Sequence, residues 1–160
     1  MTKLNKLILN SILVFSILSL FIAYFIQYIL GHKPCNLCLI ERYPYLIAII
    51  FIPLLFIFNK FKKPIMYLIT SFFIFGALVS FYHVGIEQGI FSESLVCDFN
   101  SSKEVFSKEE LLKQLQITAP VSCKDVTFRF LGLSLATINT IISIVLSGIM
   151  FKVINDYGKN

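Results

Sequence analysis

Charge is the scarcest property of this chain. Only 14% of its 160 residues are charged, and nine of those are acidic. Against this stand 57% hydrophobic residues, 17 Phe and a mean hydropathy of +0.82. A soluble domain of this length could not cover so much apolar surface, whereas lipid can. Other absences narrow the chemistry. The chain has no glycine-rich nucleotide loop, no C-x-x-C-H haem attachment and no iron–sulfur spacing. A second C-x-x-C is missing too, which leaves a zinc site short of ligands, so no metal is expected. No internal repeat or low-complexity segment stands out. The net charge of +5 does not mark a nucleic-acid surface either. Lys3, Lys6, Lys60, Lys62, Lys63, Lys152 and Lys159 all lie just outside apolar runs, with Asp156 the only acid near them. That distribution is a topology signal.

What is present is a set of four apolar runs. Leu7 to Leu30 carries no charge and, at about 1.5 Å per residue, crosses a bilayer of roughly 30 Å with some tilt. A cleaved signal peptide is the rival reading, but the run is long for one and no A-x-A-like site follows. The second span covers about 43–58, with Pro44 suited to its first turn and Pro53 expected to kink its interior. A basic turn, Asn59 to Pro64, leads to a third span over about 65–86. The fourth covers about 128–154. The expected fold is an all-α membrane protein, a four-transmembrane-helix bundle forming one integral membrane domain over 1–160.

The lysines orient it. They cluster at both termini and at the 59–64 turn, which places those segments in the cytoplasm and the loops around 31–42 and 87–127 outside. In the longer outer loop, Ser107 and Glu110 form a capping box, with Phe106 and Leu111 as a hydrophobic staple. Leu111, Leu112 and Leu115 make an apolar stripe, and Pro120 ends the segment. A short amphipathic helix is expected there, lying on the membrane or packed on the loop's own core.

All four cysteines fall in the two outer loops, the compartment where disulfides persist. Cys35-Asn36-Leu37-Cys38 is the shortest common spacing for a pair that cycles between dithiol and disulfide. A structural bridge over so small a loop would constrain little chain entropy, so redox use is the stronger reading. Arg42, at i+4 from Cys38, is placed to stabilise a thiolate there; its other reading is an interfacial anchor. Glu41 opposes that effect or pairs with Arg42. Cys97 and Cys123 are expected to pair with each other. Their bridge would contribute roughly 3–4 kcal/mol as a staple, yet beside an exposed C-x-x-C it also invites exchange. His83, with Glu87 one turn on, is the other proton-active group near the outer face, and structural and catalytic readings both stand for it. Ser134, Thr137 and Asn139 form a polar stripe assigned to helix–helix hydrogen bonding. A cycling pair at the bilayer surface needs an acceptor, and a membrane-dissolved quinone is the natural two-electron candidate.

Three stretches then go together: Cys35-x-x-Cys38-x-x-Glu41-Arg42-Tyr43-Pro44; Tyr82-His83-Val84-Gly85-Ile86-Glu87; and Cys123 followed by Phe130-Leu131-Gly132-Leu133-Ser134-Leu135-Ala136 and Asn139. In combination with the four-span layout they resemble the bacterial disulfide-bond formation protein B family, DsbB, over nearly the whole chain. The resemblance implies the established DsbA–DsbB–quinone relay of the bacterial inner membrane. A reduced, periplasmic, DsbA-like thioredoxin-fold oxidase would attack the Cys97–Cys123 disulfide at Cys97. Electrons would pass to Cys35 and Cys38, and Cys38 as thiolate would deliver them to ubiquinone or menaquinone. Arg42 would bind and polarise the quinone, with His83 a neighbour. The chain departs from the family pattern in having no Trp. Phe91, Phe128 and Ile138 stand at or near positions where relatives often carry one.

Two other readings are discriminable. Vitamin K epoxide reductase-like proteins combine four helices, a C-x-x-C and loop cysteines, but their C-x-x-C lies late in the chain and here it precedes the second span. A non-enzymatic membrane subunit stapled by two disulfides would hold both bridges against mild reductants, whereas a relay would exchange them.

Overall fold

The computed structural model describes residues 2–58, 61–92, 97, 122–124, 129–130 and 132–158. Helix α1 (Lys3–Tyr28) begins at Thr2, whose Oγ1 accepts from the Asn5 amide at 3.2 Å and satisfies one unpaired donor of the first turn. A short α2 (Asn36–Ile40) leads into α3 (Tyr43–Ile57), with Pro44 in its first turn. Pro53 stands inside α3, which continues through it to Ile57. Helix α4 spans Lys62–Glu87 and α5 spans Leu135–Gly158. Four segments are long and apolar enough to cross a membrane: Lys3–Tyr28, Asn36–Ile57, Lys62–Glu87 and Leu135–Gly158.

The third span therefore starts earlier than the apolar run suggested, with Pro64 taken into its first turn. The fourth starts later. In place of a helix from Phe128, strand β1 (Arg129–Phe130) pairs antiparallel with β2 (Leu133–Ser134), Arg129 opposite Ser134. Gly132 turns the chain between them at φ +83°, a conformation that suits glycine and cannot continue an α-helix. Ser134 then caps α5, its Oγ accepting from the Thr137 amide at 3.2 Å and lying 2.9 Å from Thr137 Oγ1. Ser134 and Thr137 thus serve their own helix end rather than a neighbouring helix. The amphipathic helix expected from Ser107 lies outside the described residues.

The core follows helical spacing. Tyr45, Ala48, Ile52 and Leu55 on α3, Met66, Ile69 and Phe73 on α4, and Leu146, Met150 and Val153 on α5 recur every three or four residues and are buried together. Leu9 and Ile12 close the cluster from α1. Only 22% of the apolar window of α1, and 33% of each of the other three, is buried inside the protein. The remaining apolar surface, including Phe21, Leu78, Phe81 and Phe151, points outward and needs lipid to cover it. Three buried hydroxyls answer to their own helix: Ser16 donates to the Ile12 carbonyl, Thr70 to Met66 and Thr140 to Ala136, each at 2.8 Å.

Two glycines control how closely parts approach. At Gly76 of α4 a Cβ would lie 2.7 Å from Pro44 Cγ, so α4 passes the start of α3 at a distance only glycine permits. Past α4, Gly89 at φ +74° turns the chain back, and the Ile90 and Phe91 amides both donate to the Gly85 carbonyl at 2.8 and 3.1 Å. The Phe91 ring covers Gly85 and stacks on Tyr82 with centroids 5.5 Å apart.

Candidate active site

A second buried cluster sits at the end of the bundle where α1 and α4 finish. It contains Cys35, Leu37, Ile86, Cys97 and Cys123, with Cys38, Ile40, Val79 and Tyr82 packed against it. All four cysteines are thus gathered in one apolar patch, although the chain separates them widely. Cys97 and Cys123 form a disulfide with Cα atoms 6.0 Å apart, and Cys35 and Cys38 are free thiols.

The C-x-x-C owes its local geometry to α2. Cys35 is the N-cap, and its Sγ accepts from the Cys38 amide at 3.3 Å, as a serine or aspartate oxygen would. One helical turn then brings the two sulfurs within 2.9 Å. Cys35 is buried and Cys38 half-buried. The His83 ring approaches from α4, its Nε2 3.6 Å from Cys35 Sγ. The hydrogen bond with the Cys38 thiol is the main reason that Cys35 is held well below the usual thiol range, at about 4. Burial opposes this, and the His83 ring adds to it by hydrogen bond and by charge.

That depression has a measurable consequence. An ordinary thiol loses its thiolate about tenfold per pH unit below roughly 8.5, and alkylation slows in step. In protein held reduced, alkylation of Cys35 by iodoacetamide is expected to stay nearly flat from about pH 8 down to about pH 5.5. Mass-spectrometric mapping of the modified cysteine checks this, and a tenfold fall per unit across that range would remove the claim.

The other expected site residues fall in two directions. Arg42 reaches toward α1: its Nη1 donates to Gln27 Oε1 at 2.7 Å, and the guanidinium lies 5.0 Å from the Tyr24 ring centroid. The Cys38 sulfur, which Arg42 was expected to reach, has Cys35 as its neighbour instead. Glu41 takes His83 and Asn139 as partners, not Arg42. His83 Nδ1 lies 2.7 Å from Glu41 Oε1, and Asn139 Nδ2 donates to Glu41 Oε2 at 3.0 Å. Asn139 also donates to Ser80 Oγ at 2.6 Å and accepts from the Tyr45 hydroxyl. Glu87 Oε1 stands 3.8 Å from His83 Nε2. Sequence reasoning singled out His83 and Asn139 but did not connect them through Glu41. The signal was there in an acid placed at the start of a span, where an ionisable group is costly.

Cys35, Cys38 and His83 present their ligand atoms within 4.8 Å of one another. They could supply three donors to a soft metal. Two thiolates about 2.3 Å from one tetrahedral zinc would lie roughly 3.8 Å apart, however. At 2.9 Å the sulfurs are set closer than that, as partners to each other.

Residues 5–153 match the family described as Disulfide bond formation protein DsbB, which takes in all four cysteines, Glu41, Arg42, His83 and Asn139. The chain belongs to the DsbB family. It is also 30% identical over 141 residues to the uncharacterized protein RP370 of Rickettsia prowazekii (strain Madrid E), covering 87% of this chain and 82% of that one. No solved structure matches the chain. As a DsbB family member with four membrane-spanning helices, the protein is a multi-pass membrane oxidoreductase of disulfide-bond formation.

Proposed function

We propose that the protein reoxidises a periplasmic DsbA-like dithiol oxidase and passes the electron pair, through Cys97/Cys123 and then Cys35/Cys38, to a membrane quinone. The observation that carries this reading is the common cluster: a formed Cys97–Cys123 disulfide packed against a free Cys35/Cys38 pair. Thiol–disulfide exchange requires sulfur to attack sulfur, and the burial of both pairs in one patch supports it.

The electrons balance in three exchanges. The reduced donor dithiol breaks Cys97–Cys123 and leaves as a disulfide, through a mixed disulfide at Cys97. The resulting Cys97/Cys123 dithiol reduces a Cys35–Cys38 disulfide and is itself reoxidised. The Cys35/Cys38 dithiol then gives two electrons and two protons to the quinone and closes its own disulfide.

The residues around Cys38 fit such an acceptor. Cys38 is half-buried, Leu39 and Tyr43 beside it are exposed, and Tyr24 on α1 is 42% exposed with Arg42 over its ring. An apolar, bilayer-facing surface with one cation is the chemistry that holds a lipid-soluble ring with polar carbonyls. Arg42 would bind and polarise a quinone carbonyl, and its present partner, Gln27, keeps the guanidinium aimed across that surface. The lysine distribution supports cytoplasmic termini and a periplasmic cysteine end, in a bacterial inner membrane.

The test is quinone reduction by the purified protein supplied with a reduced thioredoxin-fold donor. Turnover that depends on the donor is expected with ubiquinone or menaquinone. No turnover with either, while the protein remains folded, would end the relay reading and leave the cysteines structural or coupled to another acceptor.

A further inference from the structure

The relay as proposed uses the cysteines and Arg42, and leaves His83, Glu41, Asn139, Tyr45 and Ser80 without a part. Yet Glu41 is 8% exposed at the start of a membrane span, and an acid there is costly unless its lone pairs are met. Its partners come from two other helices. One oxygen faces His83 Nδ1 on α4 at 2.7 Å, and the other accepts from Asn139 Nδ2 on α5 at 3.0 Å. A carboxylate only accepts, so it fixes the orientation of both groups. The Asn139 amide must present its NH2 to Glu41, which leaves its Oδ1 for the Tyr45 hydroxyl and its second N–H for Ser80. The imidazole must present Nδ1–H. Its Nε2 is then an acceptor, and that atom is the one 3.6 Å from Cys35 Sγ.

We propose that Glu41, braced by Asn139, is a positioning residue that keeps the His83 proton on Nδ1 so that Nε2 can take the proton of Cys35. The transfer is Cys35–SH plus neutral imidazole giving Cys35 thiolate plus imidazolium. The ion pair so formed is steadied by the carboxylate on the far side of the ring. When the pair closes its disulfide the imidazolium gives that proton up with the departing electrons. This last step rests on the quinone-linked reading above; the proton transfer from Cys35 does not. Neither Glu87 nor Cys38 can replace Glu41 here. Glu87 lies on the Nε2 side of the ring, and Cys38 neighbours Cys35. Glu41 alone among the described titratable groups reaches Nδ1.

Glutamine is the informative replacement. It keeps the volume of Glu41 but has one acceptor oxygen for two converging donors, so either Nδ1–H or the Asn139 amide loses its partner. Two readouts separate positioning from mere helix packing. The first is the pH profile of Cys35 alkylation in reduced protein. Glu41→Gln is expected to move its midpoint alkaline by about one pH unit, slowing the reaction up to about tenfold on the acid limb and little near pH 7, because the Cys38 hydrogen bond remains. Asn139→Ala should move it the same way by less. The second is the 15N spectrum of the His83 ring in oxidised wild-type protein at alkaline pH, which should show the proton on Nδ1, against the free imidazole's preference for Nε2.

If both variants lower thermal stability but leave the Cys35 profile in place, the network is structural and the proposal falls. It falls equally if the wild-type ring carries its proton on Nε2. Should Glu41→Gln fail to fold, the wild-type spectrum and Asn139→Ala decide the matter. A profile that shifts as expected in protein that reduces no quinone would sink the relay and leave this inference standing.

Discussion

Cys38→Ser and Cys97→Ser are each expected to stop steady-state quinone reduction, by at least about 10³-fold, and to stop it at different points. Serine preserves size but cannot form the bond being exchanged. In Cys38→Ser the Cys97–Cys123 bridge is intact, so the protein should oxidise about one equivalent of donor and then stall with the electrons held in the outer pair. In Cys97→Ser that bridge cannot form, and even the first equivalent should be lost. Rapid-mixing measurement of donor oxidation, alongside quinone absorbance, separates the two. A Cys97→Ser protein that turns over like wild type would make Cys97–Cys123 a staple, as the loop-closure energetics allow. Normal turnover in Cys38→Ser would remove the C-x-x-C from the electron path altogether.

The second large effect is expected from Gly76→Leu, far from any sulfur. A Cβ at Gly76 would stand 2.7 Å from Pro44 Cγ, closer than side-chain carbons approach, and Pro44 is a fully buried ring that cannot swing aside. Overpacking a well-filled core costs about 1–3 kcal/mol and sometimes more, while losing a helical glycine returns only about 1 kcal/mol. The overlap therefore wins, and α3 must move away from α4. The displacement would be felt at the site, because Pro44 follows Glu41 closely on the chain and His83 lies two turns beyond Gly76. Thermal unfolding in detergent should show a clearly lowered midpoint, with quinone reduction falling alongside it. Gly148→Ala on α5 is the control, since a Cβ at that position would meet nothing within 4 Å and little change is expected. Equal stability in Gly76→Leu and wild type would mean that this contact does not set the α3–α4 spacing.

Much of the molecule was open to reading along the chain. The apolar runs announced four crossing segments, and their alternation put all four cysteines at one end of the bundle. These features depend on neighbours in sequence, or on the thickness of a bilayer, and a one-dimensional pattern contains both. The C-x-x-C reads along the chain as part of an outer loop ahead of the second span, whereas a short helix from Cys35 brings i and i+3 together there. The start of the last helix was harder: its apolar run reaches back past Gly132, and a single positive φ there replaces helix with a two-residue ladder and makes Ser134 a cap.

What the chain order did not contain is the rotation of each helix about its own axis. That angle decides whether Glu41 meets Arg42, its neighbour in sequence, or His83 and Asn139, which are far away in it. It is set by packing, through the Gly76–Pro44 contact and the interlocked apolar stripes of α3, α4 and α5. By itself the sequence determined a four-span membrane protein with two cysteine pairs at one face. The tertiary structure alone turned Arg42 onto Tyr24 and Gln27, and joined Cys35, His83, Glu41 and Asn139 in one line. The reason is physical: a buried polar side chain settles where its hydrogen bonds are met, and those partners arrive only when the helices pack.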